Sequence, residues 1–280
     1  MSVKFVIDSA SDISKTEAEQ LGITMIPVLI SFQNEDYYDG IDLLPYSFYT
    51  KLADSKELPK TSQINAFKFE EEFDKLTKKG DEVVVITISS KLSGTYNSAL
   101  QASKKYKCQV YVVDSLSASA GERLLLYYGL QLAKQGKSAK EIAQELEVKR
   151  SKLVVMAAIN TLEYLKRGGR ISSAIAFAAS LISLKPIIGI VDGEVKLIGK
   201  SMGSKNAIKT LNKLIVDKGG LNTSLPFGII YSGISKTLPE TFVEQNPQHW
   251  HNSNVNYYVL GCTIGSHIGP GAIGVAFFQK

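Results

Sequence analysis

The sequence predicts an α/β protein of two lobes, the N-terminal one with a mostly parallel sheet covered by helices on both faces and the C-terminal one a mixed α/β lobe. Three observations carry this. Short apolar runs rich in β-branched residues alternate with helical patterns through the first half of the chain, as βαβ units require. The pair Asp192-Gly193 joins two strand-like runs and places an antiparallel hairpin in the second half. At 280 residues the chain exceeds the commonest single-domain size and carries no Pro/Ser-rich linker, so two packed lobes, residues 1–155 and 156–280, are expected.

The elements follow in order. Lys4 to Asp8 reads as a buried strand, and Ser14 with Glu17 forms a capping box for a helix that Gly22 ends. Thr24 to Ser31 reads as the next strand. Ala66, Phe69, Phe73 and Leu76 share one helical face whose opposite side carries Glu70, Glu71, Asp74 and Lys78. Strands are expected over Val83 to Ile88, Gln109 to Asp114 and Lys152 to Ala158. The glycine-basic turn Lys166 to Arg170 then precedes Ile171, Ala174, Ile175, Ala178, Leu181 and Ile182 at helical spacing, an almost wholly apolar helix reaching to Leu184. Pro186 to Val191 and Glu194 to Ile198 form the hairpin, Ser204 to Lys218 a helix, and Pro226 to Ser232, Asn256 to Leu260 and Ala272 to Phe278 the closing strands.

Composition removes several function classes. Hydrophobic residues at 44% against 21% charged describe an ordinary folding chain and exclude disorder. No apolar run approaches the ~20 residues that span a bilayer, and the opening MSVKFVIDSASD passes into acids rather than a signal-peptide core, so a cytoplasmic protein is expected. The net charge of +5 is spread along the chain rather than gathered into an arm, which argues against nucleic acid. Cys108 and Cys262 form no CxxC, and two of the three histidines sit together in His249-Trp250-His251, so neither a metal centre nor a cofactor is expected. Three motifs also fail on context. Gly269 to Gly274 matches GxGxxG but has no room for the helix that must follow, and Lys236-Thr237 lacks the glycine before a P-loop lysine. Gly199-Lys200-Ser201-Met202-Gly203 matches a nucleophile elbow, yet its strand is the polar-alternating arm of a hairpin.

Three segments keep a chemical meaning. Ser89 to Tyr96 follows a buried strand and opens a helix, the place where an α/β sheet offers backbone N–H groups and hydroxyls to an anion. Helix capping by Ser93 is the competing structural explanation. Thr61-Ser62-Gln63 supplies a second hydroxyl pair in what reads as a loop. Gly261 to Gly271 surrounds His267 with four glycines and a proline, which reads as a loop that lets backbone approach a ligand while an imidazole meets an acid.

Asp8 to Asp12, Tyr38-Asp39-Gly40, Thr61-Ser62-Gln63, Ser89 to Tyr96, Asp114-Ser115, Leu162 to Ser172, Leu184-Lys185-Pro186 and Gly265 to Gly274 resemble the successive signature blocks of the DegV family, nearly end to end. The resemblance implies two α/β lobes holding a long-chain fatty acid in an apolar tunnel. It further implies a cytoplasmic acyl-binding subunit of a bacterial fatty acid kinase. Such a subunit serves phospholipid metabolism by presenting the carboxylate to a separate ATP-using subunit and receiving an acyl phosphate. By motif match Thr61, Ser93 and His267 contact the carboxylate, with Ser62 and Gly94 beside them. Arg170 stands near the tunnel mouth, and Ile175, Ala178 and Leu181 belong to a helix that is the candidate tunnel wall or a partner-facing surface, although an ordinary core helix has the same pattern. The implied partners are the fatty acid, the kinase subunit and, transiently, a membrane surface.

Two positions depart from the family pattern. Ile64 stands where proline often follows Thr-Ser-Gln, and Lys200 to Lys205 lacks the arginine that usually follows the hairpin. Two other functions remain open: a serine-dependent acyl hydrolase using Ser93 or Ser201 with His267, and a carrier of another small carboxylate.

Overall fold

A computed structural model of the chain describes residues 2–78, 80–171, 184–250 and 253–280. The fold is mixed α/β, with a parallel N-terminal sheet and a mixed C-terminal one. Strands β1 (Val3–Asp8), β2 (Thr24–Ile26), β6 (Glu82–Thr87) and β7 (Val110–Asp114) form a fully parallel sheet in the order β2-β1-β6-β7. Period-two alternation splits its side chains. Val6, Val83 and Val85 face helices α3 (Ala66–Thr77) and α4 (Thr95–Ser103), whereas Phe5, Ile7, Val84 and Ile86 face α5 (Ala120–Lys134) and α6 (Ala139–Lys149). Chain order reverses between β1 and β6, which makes their carboxyl ends the switch point where such sheets bind ligands.

The expected strand Thr24 to Ser31 is two strands in two sheets. Pro27 has no N–H to offer a ladder, and the chain leaves the parallel sheet there. It resumes as β3 (Leu29–Phe32), pairing antiparallel with β4 (Glu35–Tyr38) and with β5 (Lys60–Ser62) in a small third sheet. Thr61 and Ser62 therefore sit on a strand rather than in a loop. Helix α1 (Lys15–Leu21) has the expected Ser14 cap and Gly22 end, and α2 (Pro45–Asp54) closes the third sheet with Phe48, Tyr49 and Leu52.

The second large sheet is mixed: β8 (Leu153–Ala158), β9 (Leu184–Val191), β10 (Glu194–Met202), β11 (Gly228–Tyr231), β12 (Asn256–Val259) and β13 (Ile273–Phe278), ordered β10-β9-β8-β13-β11-β12 with only β11 and β12 parallel. Asp192 and Gly193 both take positive φ, 53° and 82°, as a two-residue hairpin turn demands. One face of this sheet packs on α8 (Gly203–Asp217) and α9 (Thr237–Glu244) through Met156, Leu211, Phe242 and Phe277. The other joins the N-terminal core through α5, so that Ile7, Leu124, Val155, Ile230 and Phe278 belong to one apolar cluster. Strand β8 lies wholly in the second sheet, and residue 155 falls inside it.

The segment Gly261 to Gly271, expected as a loop, contains helix α10 (Cys262–Ile268), ended by Gly269 at φ 72°. Glycine frequency was the misleading signal. Gly265 lies inside the helix because a Cβ there would come 2.7 Å from the rings of Phe48 and Tyr49. A short helix, α7 (Glu163–Arg167), precedes Gly168. The apolar helix expected from Ile171 to Leu184, with Ile175, Ala178 and Leu181, lies outside the described residues apart from its two ends. Among the described residues no helix is long and apolar enough to cross a membrane.

Candidate functional site

The site is assembled where the switch point of the parallel sheet meets α10. Asp8, at the end of β1 and fully buried, accepts N–H bonds from Ala10 (3.0 Å) and from Ile88 (2.8 Å), tying the ends of β1 and β6 together. Burial raises its pKa to about 7. Two more aspartates hold the start of α10. Asp12 accepts the Gly261 N–H at 2.7 Å and the Ser119 hydroxyl, while Asp39 accepts the N–H groups of Cys262 (3.0 Å) and Thr263 (3.1 Å) and the Ser9 hydroxyl (3.1 Å). Negative charge at a helix start matches the peptide dipoles and satisfies donors that the helix itself leaves open. The blocks Asp8 to Asp12 and Tyr38 to Gly40 thus work as a clamp that sets the position of α10.

One turn further along, His267 reaches Thr61. Thr61 Oγ1 lies 2.9 Å from His267 Nε2, joining β5 to α10 across 206 positions of sequence. His267 Nδ1 is buried and has no partner among the described residues. It faces Gly168, where a Cβ would stand 2.2 Å from it, so that position admits only glycine. Burial, and then the Arg170 cation, lower the His267 pKa to about 4, which keeps the imidazole neutral at physiological pH. Arg170 is half-buried and donates from Nε to the carbonyl of Leu92 (3.3 Å) and from a terminal nitrogen to that of Gly168 (2.5 Å). It therefore ties the turn after α7 to the loop that carries Ser93.

Ser93 stands one residue before Gly94, the cap of α4. Its Oγ accepts the Thr95 N–H at 3.2 Å, steadying the start of α4, and lies 2.9 Å from Thr95 Oγ1. Thr95 Oγ1 in turn accepts the Ile64 N–H at 3.2 Å. Gly94 leaves room for Gln63, since a Cβ on Gly94 would come 1.9 Å from the Gln63 carboxamide oxygen.

Thr61, Ser62, Ser93, Arg170 and His267 all line one cavity. Its remaining wall is almost wholly apolar: Ala10, Ile88 and Ala118 at the carboxyl ends of three parallel strands, Val155, Ile188 and Ile190 on the second sheet, and Ile264 and Ile268 on α10. Ser62 and Gln63 are exposed and mark the cavity's rim beside Thr61, while Ser119 and Thr263 add buried hydroxyls to the wall. Such a cavity suits a molecule with a small polar head and a long apolar body. Of the expected residues, Gly94 lies beside the cavity rather than on its wall, and Ile175, Ala178 and Leu181 lie outside the described residues.

Five contributors were given no role from sequence. Gly168, Gln63 and Thr95 make contacts that only the fold creates, although the spacing Ser93-Gly94-Thr95 was a signal for paired hydroxyls. Asp12 and Asp39 were visible as family blocks without a role. The elbow-like Ser201 pairs with Thr210 at 2.6 Å and is not on the cavity wall. Among the described residues no group of three or more His, Cys, Asp or Glu could hold a metal ion.

Comparison with known proteins agrees with this architecture. The family described as "Uncharacterised protein, DegV family COG1307" matches residues 2–280. A DegV domain-containing protein of Clostridium perfringens is 36% identical over 284 residues, covering 98% of this chain and 97% of the relative. Among solved structures, a fatty-acid-binding DegV family protein of Thermus thermophilus superimposes with a TM-score of 0.88 at 29% identity, and DegV of Bacillus subtilis, a fatty acid binding protein, with 0.85 at 30%; both are covered in full, as is this chain.

Proposed function

The chain belongs to the DegV family, and from that premise we propose that it binds a long-chain fatty acid in this cavity and presents the carboxylate to a separate kinase subunit. The observation that carries the reading is the make-up of the cavity wall: mostly apolar, with Thr61, Ser93, Arg170 and His267 together on it. An acyl chain of about fifteen methylenes, at ~0.8 kcal/mol each, supplies on the order of 10 kcal/mol before entropic costs, so the wall needs no elaborate recognition. The rim sets orientation. Hydroxyl donors at Thr61 and Ser93 suit a carboxylate, and the Arg170 cation nearby supports the charge that a neutral His267 leaves uncompensated.

The exposed rim also supports presentation, because a head group held there is within reach of a second protein. In the proposed step a carboxylate oxygen attacks the terminal phosphorus of ATP held by the partner, the bond to the bridging oxygen breaks, and ADP leaves as the acyl phosphate forms. A serine hydrolase is less well supported. Its histidine needs an acid to orient the second ring nitrogen, and His267 Nδ1 has none among the described residues. The test is mass spectrometry of the protein purified from a heterologous host, followed by incubation with an ATP-dependent acyl kinase. A co-purified fatty acid that becomes an acyl phosphate is expected, with Arg170→Ala keeping the lipid and losing product. A protein that carries no fatty acid and takes none up from solution would overturn the reading.

A further inference from the structure

We propose that Thr95 is a positioning residue that fixes Ser93 as a donor-only hydroxyl, so that the rim selects a head group that accepts hydrogen bonds over one that must also donate. The inference deepens the fatty-acid reading of the cavity and rests on it. Thr95 is fully buried, and its Oγ1 already accepts the Ile64 N–H at 3.2 Å. The Thr95 hydroxyl proton has one acceptor among the described residues, Ser93 Oγ at 2.9 Å. The opposite arrangement, Ser93 donating to Thr95, would leave the Thr95 proton buried without a partner, which folded proteins avoid.

Ser93 Oγ therefore accepts twice, from the Thr95 hydroxyl and from the Thr95 backbone N–H at 3.2 Å. A hydroxyl has two acceptor positions and one proton, so what Ser93 has left is its proton, and Ser93 lines the cavity. A chain of donors runs from the Ile64 backbone through Thr95 to Ser93 and ends on the ligand. Each donor in such a chain polarises the next, which strengthens the last bond toward an anion.

The experiment compares a long-chain fatty acid with the alcohol of the same length at about pH 8, where a free carboxylic acid is ionised. Wild-type protein prefers the acid. In Thr95→Val, Ser93 regains a free acceptor position and loses its fixed orientation, so the acid-to-alcohol affinity ratio falls roughly tenfold, the worth of one hydrogen bond to a charged group. Thr95→Ser, which keeps the hydroxyl, restores the ratio. Loss of affinity for both ligands by the same factor, or an unchanged ratio in Thr95→Val, overturns the proposal. If Thr95→Val does not fold, Thr95→Ala carries the comparison. Should neither fold, the wild-type preference decides, and equal affinity for acid and alcohol overturns it. A wild-type protein that binds neither ligand overturns the fatty-acid reading itself instead.

Discussion

The two ends of helix α10 meet opposite kinds of polar surroundings. At its start the backbone donors are engaged: Asp12 and Asp39 take the N–H groups of Gly261, Cys262 and Thr263 together with two serine hydroxyls. At its far end, His267 holds one threonine hydroxyl and leaves a ring nitrogen unpartnered among the described residues, beside an apolar cavity. A polar cluster whose members satisfy one another stabilises the fold, whereas one with groups left over offers them to a ligand. The helix is short, so the closed cluster determines where the open one stands.

Breaking the closed end should have the larger effect. Asp39→Ala leaves two N–H groups and the Ser9 hydroxyl without their acceptor in the interior, and a loss of about 3 kcal/mol of folding stability is expected, read from the midpoint of denaturant unfolding. Fatty acid binding should fall with it. An Asp39→Ala protein as stable as wild type would show that α10 does not depend on this clamp.

At the open end the signature reverses. Ser93→Ala and His267→Ala should each weaken fatty acid binding by about 1–3 kcal/mol in titration calorimetry, with a loss of folding stability smaller than that of Asp39→Ala. His267→Ala removes one hydrogen bond, to Thr61, together with a ring nitrogen that lacked a partner among the described residues, so its stability cost should stay near about 1 kcal/mol. A large fall in melting temperature with unchanged affinity would assign His267 to the closed cluster.

The clamp region also has a pH signature of definite sign. Burial raises the Asp8 pKa from 3.8 to about 7, so the folded state holds a proton that the unfolded chain has released. Its contribution is fully present below pH 3.8 and is lost as pH rises through 7. His267, with a folded pKa near 4, acts in the other direction, and only below about 6.5. Burial raises Asp12 to about 7 as well, so between about pH 8 and 6.5 the two carboxyls act together and stability should rise by roughly 2 kcal/mol as pH falls. Asp8→Asn should reduce that slope in thermal melts, and an unchanged slope would place its origin elsewhere.

Much of this was legible in the sequence, for reasons that differ by element. The parallel sheet followed from uninterrupted apolar runs such as Val83 to Ile88, because a strand buried on both faces needs no partner to be seen. The hairpin followed from Asp192-Gly193, whose backbone demand is local. The third sheet did not, since Lys60-Thr61-Ser62 is polar and becomes a strand only by pairing with β3. Helix α10 was hidden for the same reason, its start being stabilised by carboxylates from more than 200 positions away. At the site, Ser93 and His267 were visible as local motifs, whereas Gly168 and Thr95 owe their roles to contacts with His267 and Ile64 that no local pattern encodes.

The smallest expected effect tests the comparison within a single strand. Thr61 and Ser62 are neighbours on β5, and successive side chains on a strand point to opposite faces. Thr61 is partly buried and bonded to His267, whereas Ser62 is exposed and its hydroxyl makes no hydrogen bond among the described residues. Both stand at the cavity rim, so proximity alone does not separate them. Thr61→Val keeps the shape of the side chain but removes the hydroxyl that His267 holds in place, and should cost about 1–2 kcal/mol of fatty acid affinity. Ser62→Ala removes only a group that water already solvates and should change affinity by less than about 0.5 kcal/mol. Equal losses in the two variants would mean that the head group reaches outward past the strand, and the boundary between wall and rim would then move from Thr61 to Ser62.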